Sequence, residues 1–181
     1  VELLVDAELR RVGIPLEDPV AVVGDLPHHV AVVNPGAGFV DVKNYQRLDS
    51  RVSTIPWWEQ KLWNLYDPLA CPINLRNSTL VAYSGEEDAQ KAAADLMEAA
   101  LLREGVKMTH IIGPKTGHKY EPEARKVVAN KVDEAASQGM NSAPTHISWV
   151  THTLQFNRVH CLTADALEEH WKEARVDARV I

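Results

Sequence analysis

Cysteine is scarce in this 181-residue chain, and the two present, Cys71 and Cys161, lie far apart with no CxxC partner. That argues against a thiolate zinc knuckle, says little about redox compartment, and makes a bridge between the two an outside expectation. Basic charge is also short: 19 Lys and Arg stand against 25 Asp and Glu, a formal net charge of -6. With the two signs interspersed, no basic stripe offers itself to a phosphate backbone, so nucleic acid is not an expected partner. No apolar run approaches the roughly 20 residues of a membrane helix, so no membrane partner is expected and the chain reads as soluble. The N-terminus lacks the basic, apolar, small-residue order of a signal peptide. Because the chain starts at Val1 without an initiator Met, an upstream export signal stays open, and with it the compartment. The glycine-rich NPGAGF at 34–39 contains neither GxGxxG nor GxxxxGK and leads into no clear helix, which argues against a nucleotide loop. No cofactor is expected.

What the chain does have is apolar material, 45% of its residues, enough for one substantial core. Residues 2–12 are strong helix formers stopped by Gly13. PVAVVG at 19–24 and HVAVVNPG at 29–36 read as strands, their continuous apolar character suiting a sheet buried on both faces. PWWEQKLWNLYD at 56–67 reads as a short helix with Trp58, Leu62 and Leu65 on one side. TLVAYS at 79–84 predicts a strand. A helix ending at Gly105 follows, with Ala93, Leu96, Met97, Ala100 and Leu101 as its apolar stripe. VKMTHII at 106–112 predicts another strand, and a helix follows between Pro122 and Gly139. Alternation of this kind predicts the α/β class, a doubly wound and mostly parallel sheet with ligands at the carboxyl ends of its strands.

From about Asn141 the pattern changes. HISWVTHTLQF at 146–156, VHCLTA at 159–164 and RVDARVI at 175–181 read as strands, with Asn157-Arg158 as a turn and DALEEHWKEA as a short helix. The expected organisation is therefore a domain over 1–140 and the opening of a β-rich unit over 141–181, the chain ending inside a strand pattern.

Two loops place ionisable side chains directly after predicted strands. In SGEED, Asp88 follows the strand 79–84, with Glu86 and Glu87 as competitors; a carboxylate there can accept the Nδ1 proton of a histidine. The plain alternative is that these acids cap a helix N-terminus. In GPKTGHKY, His118 follows the strand 106–112 and reaches the same sheet edge, although as one of eight histidines it can equally be a surface residue.

The segment LVAYSGEEDAQKAAADLMEAALLREGVKMTHIIGPKTGHKYEPEA at 80–124, with VAVVNPGAGF and PWWEQKLWNLYD, resembles the acid and histidine region of prolyl oligopeptidase-like α/β-hydrolases. The similarity spans roughly residues 14–135, and THTLQFNRVHCLTADALEEHW at 151–171 resembles the β-rich tail of some bacterial members. The resemblance implies a partial α/β-hydrolase fold with Asp88 as triad acid and His118 as triad base, in the chain order nucleophile, acid, histidine. The nucleophile belongs in a GxSxG elbow after the strand 19–24. The sequence there reads Gly24-Asp25-Leu26-Pro27-His28, with no room for the following helix, so the resemblance leaves this chain without a catalytic serine. Ser84, Ser50, Ser53 and Thr54 lie outside any GxSxG context, and Asp25 or His28 makes a poor substitute beside Pro27.

Three readings follow: a serine hydrolase of the peptidase or esterase class acting on a peptide or ester substrate, with this chain alone inactive; a non-catalytic binding or scaffold protein on the same fold; and a carbohydrate esterase. Trp57, Trp58, Trp63 and Tyr66 read as core packing ahead of a substrate cleft. His146, His152 and His160 match no ligand spacing, so no metal is expected. Oligomeric state is left open.

Overall fold

The computed structural model describes residues 30–36 and 38–181. The expected helix at 2–12, the strand at 19–24 and the Gly24 to His28 segment lie outside the described residues. Three parallel strands form the central sheet in the order β1 (Val32–Val33), β2 (Thr79–Gly85), β3 (Thr109–Gly113). Between β1 and β2 run two short helices, α1 (Val42–Tyr45) and α2 (Trp57–Leu62), and a series of 3₁₀ turns. A helix α3 (Lys91–Arg103) connects β2 to β3, and α4 (Pro122–Gln138) follows β3. The chain is thus mixed α/β, with a small parallel sheet between helices.

The alternation of side chains along β2 explains this layering. Leu80 packs with Met97 and Leu101 of α3, while Val81 and Tyr83 pack with Ala124 and Val128 of α4. Successive strand residues face opposite sides, so a strand apolar at every position needs a helix on each face. β2 is buried from Leu80 to Gly85 as a result. The stripe expected on α3 is buried at Met97, Ala100 and Leu101 but not at Leu96, which is exposed. Both long helices stop as their glycines require: Gly105 and Gly139 take positive φ, which side-chain-bearing residues rarely adopt.

Several expectations are corrected. The strand expected over 29–34 pairs only at Val32–Val33, and that over 106–112 begins at Thr109. The helix expected over 56–67 is α-helical only to Leu62 and tightens into a 3₁₀ turn at Trp63–Leu65. Trp57, Trp58, Leu62 and Tyr66 are exposed and Trp63 is half-buried, so the core packing expected of these aromatic residues fails at Trp57, Trp58 and Tyr66. Periodicity finds the helix; its neighbours meet it through Gln60, which donates to the Val52 and Ile55 carbonyls, and leave Trp57 and Trp58 exposed.

Past α4, β4 (His146–Thr151) pairs antiparallel with β7 (Ala174–Arg179), while β5 (Arg158–Val159) and β6 (Leu162–Thr163) make a separate short hairpin. The first strand of this segment stops at Thr151, and a 3₁₀ turn at Leu154–Phe156 replaces its expected continuation. The tight turn is His160-Cys161, with His160 at positive φ, and not the expected Asn157-Arg158. No helix forms over 165–174. Trp171 instead takes φ 67° and donates its N–H to the His152 carbonyl at 2.8 Å, so a tertiary bond overrides a segment too short to hold a helix alone. The segment shares the main core through Val150, and Asn74 pairs with the Val150 backbone in both directions, at 2.9 and 2.7 Å. Cys71 and Cys161 form no disulfide with each other; Cys71 is buried and Cys161 exposed. Among the described residues no helix is long and apolar enough to cross a membrane.

Candidate active site

Because β2 and β3 run parallel in direct register, Gly85 opposite Gly113, both strands release their following loops at one edge of the sheet. Asp88 sits on the first loop and His118 on the second. The His118 Nδ1 to Asp88 Oδ2 distance is 3.1 Å. The Asp88 side chain is 4% exposed and the His118 side chain 45% exposed, so the acid lies beneath and the imidazole caps it.

Each partner is held from several sides. The second oxygen of Asp88 accepts the Gln90 N–H at 2.9 Å, an Asx-type turn that fixes the carboxylate plane. Asp88 therefore does some of the helix-entry work that the plain reading assigned to it, with one oxygen left for the histidine. The competitors resolve differently: the Glu86 side chain accepts the Lys115 N–H at 2.8 Å, and the Glu87 N–H donates to the Thr116 carbonyl at 3.0 Å. Both clamp the histidine loop to the acid loop.

Gly85 makes the close approach possible. A Cβ at this position would stand 2.2 Å from the carbonyl oxygens of both Thr116 and Gly117. Farther along, Tyr83 reaches from β2 and its hydroxyl donates to the Lys119 carbonyl at 2.9 Å while accepting the Glu121 N–H at 2.8 Å. Tyr120 stacks on Tyr83 with ring centroids 4.2 Å apart and donates to Asn34 Oδ1 at 3.2 Å; burial pushes its phenol upward, which keeps it a donor. The residues on both sides of His118 are thus tied to β1 and β2.

With Nδ1 donating to a fixed carboxylate, the imidazole is held in the tautomer whose Nε2 carries a lone pair toward solvent. Among the described residues nothing hydrogen-bonds Nε2. Such a pair can take a proton from a hydroxyl placed at Nε2 and return it to a leaving group. None of the serines in the chain has glycine two positions before and two after it. Ser84 is fully buried, Ser50, Ser53 and Thr54 are exposed elsewhere on the surface, and Asp25 and His28 lie outside the described residues.

Of the other histidines singled out in the sequence, His160 sits at positive φ in the β5–β6 turn. His146 Nε2 pairs with Asp177 Oδ2 at 2.9 Å across β4 and β7, and His152 is buried, which lowers its proton affinity. Sequence reasoning passed over a different cluster: His110 of β3 lies under α3, its Nε2 2.9 Å from Ser84 Oγ and its Nδ1 facing Asp95 and Glu98. In sequence His110 is one residue of an apolar strand, and the two acids read as a solvated helix face. The spacing of Asp95 and Glu98, one helical turn apart, was the available signal, but only the β2 to β3 register brings His110 beneath it. Compared with known protein families and with curated proteins, the chain matches none.

Proposed function

We propose that this chain carries the acid and base of a serine hydrolase of the peptidase or esterase type, a partial α/β-hydrolase fold in which His118 shuttles the nucleophile's proton and Asp88 orients it. One observation carries the reading: a half-exposed imidazole bonded through Nδ1 to a buried carboxylate, on adjacent loops at the carboxyl edge of a parallel sheet. Surface histidines do not need a carboxylate held by a second bond beneath them, whereas a triad base does, because the imidazolium formed during proton transfer must be stabilised in place. The resemblance of residues 80–124 to prolyl oligopeptidase-like hydrolases supports the same assignment.

The substrate class under this reading is a peptide or a small ester, with acyl transfer to a serine as the chemical step. No serine of this sequence sits in a GxSxG elbow, so the nucleophile is left unassigned and is what the labelling experiment looks for. The second reading, a non-catalytic binding protein on the same scaffold, is favoured by one feature, the sequence Gly-Asp-Leu-Pro-His where the elbow belongs.

The deciding experiment is the intact mass of the purified protein before and after a fluorophosphonate probe, which traps an activated serine. A single adduct that disappears in both Asp88→Asn and His118→Ala supports the hydrolase. An adduct that survives both substitutions overturns the assignment of the pair, and no adduct on any form of the protein moves the molecule to the binding-protein reading.

A further inference from the structure

We infer that Asp95, Glu98 and His110 form a binding site for a divalent transition ion of the zinc type, on the α3 face of the sheet. One ligand atom from each side chain, the two carboxylate oxygens and the imidazole Nδ1, lies within 4.8 Å of the other two. Nδ1 stands 3.8 Å from Asp95 Oδ1 and 3.6 Å from Glu98 Oε2. Those separations are too long for hydrogen bonds. They exceed by only a few tenths of an ångström what a shared ion imposes, since bond lengths of about 2.0–2.1 Å place tetrahedral ligands roughly 3.4 Å apart.

The histidine points to a ligand independently of the acids. Its side chain is only 6% exposed, yet Nδ1 makes no hydrogen bond among the described residues, and it is aimed between the two carboxylates. On the other side of the ring, Nε2 lies 2.9 Å from Ser84 Oγ, and Ser84 is fully buried. When Nε2–H donates to Ser84 Oγ, the ring presents its Nδ1 lone pair outward, toward the two carboxylates. A hydrogen bond from the far nitrogen that fixes tautomer and ring orientation is the usual support of a metal-binding histidine. A ring nitrogen facing two anions takes a proton or a metal ion between them, and the two compete for the same lone pair.

Donor chemistry selects the ion. Imidazole with two carboxylates suits zinc and its neighbours, whereas magnesium prefers oxygen ligands alone. Three protein ligands leave a further position for water, since both carboxylates are about half exposed. Lys91 competes for Asp95, its Nζ lying 2.7 Å from both carboxylate oxygens, but it reaches from the preceding helical turn and can swing into solvent. A bound ion ties α3 to β3, and this does not depend on the hydrolase reading.

The test is calorimetric titration of zinc chloride into the untagged full chain at pH 7.5, in a Cys161→Ser background that removes the exposed thiol. The expected result is saturable one-to-one binding with a rise in melting temperature, weakened at least about tenfold by Asp95→Asn and by Glu98→Gln, with no response to magnesium. Both substitutions lie on the solvent side of α3 and preserve the core, so each fold is checked by an unchanged melt without zinc. His110→Gln serves as the third arm. Absence of saturable binding, or binding undiminished in both carboxylate variants, overturns the inference.

Discussion

Two histidines of the same small sheet face carboxylates with opposite polarity of burial. At the strand edge, His118 is half exposed over an almost fully buried Asp88; under α3, His110 is buried beneath half-exposed Asp95 and Glu98. In the first pair the acid is the fixed element and the imidazole presents its free nitrogen to solvent, an arrangement for passing a proton. In the second the imidazole is fixed by Ser84 and the acids face outward, an arrangement for collecting a cation. The residue types are nearly the same. What separates the two clusters is which partner the fold anchors.

The largest expected effect falls on the edge pair. Under the proposed hydrolase function, Asp88→Asn is expected to lower turnover about 10⁴-fold, because the histidine would lose the tautomer a triad base needs, whereas Glu98→Gln is expected to leave turnover unchanged. Fluorophosphonate labelling rates of the two variants make the comparison directly, and equal losses would erase the distinction between the clusters.

Next is the support of the His118 loop. Gly85→Ala pushes a methyl group into the Thr116 and Gly117 carbonyls, and overpacking of this kind costs about 1–3 kcal/mol. Urea unfolding should show that loss, and increased amide exchange across residues 114–119 should show that it falls on the loop. On the other face, Ser84→Ala leaves the His110 Nε2 without its bond and costs about 1–2 kcal/mol in urea, with the His118 loop undisturbed.

A smaller effect separates both histidines from the acid that bears on the pH dependence of stability. Burial raises Asp67 to about 6 from its ordinary 3.8, against the opposing Val42 N–H bond. The folded state then holds a proton more tightly than the unfolded one, so this group's contribution falls as pH rises from about 4 to 6 and stays low above that. Solvent screening at a half-buried site limits the effect to about 1 kcal/mol, or about 2–4 °C in melting temperature. Asp67→Asn should recover that increment at pH 7 and gain nothing at pH 4. His152 has the opposite sign: burial lowers its affinity for protons, so its contribution is complete above about 6.5 and is lost as pH falls below that.

The smallest effect sharpens the cation side. Lys91→Met removes an exposed helical ion pair worth at most about 0.5 kcal/mol, so the melting temperature barely moves, while zinc affinity rises because Asp95 is released.

Much of the frame was legible because it is written in local patterns. The strand 79–84, the helix stopping at Gly105, the helix from Pro122 to Gly139 and the loops bearing Asp88 and His118 all follow from apolar period and from glycine and proline placement. The aromatic helix shows the reach of that reasoning: α2 forms, but Trp57 and Trp58 are exposed, since periodicity says which side chains share a face and not whether anything packs on it. The tail was less legible. DALEEHWKEA carries good helix formers, yet the bond from Trp171 to His152 holds it in turns.

The sequence by itself determined the alternation of strands and helices over 79–139, the loops on which Asp88 and His118 sit, and the lack of a GxSxG serine, because each of these is a matter of residues near one another along the chain. Only the tertiary structure decided that Asp88 lies under His118 at 3.1 Å, that Gly85 must lack a side chain, and that Ser84, His110, Asp95 and Glu98 converge. Those meetings depend on the parallel register of β2 with β3 and on the packing of α3 across them, and register is set by the burial of two whole faces, which no short stretch of chain encodes.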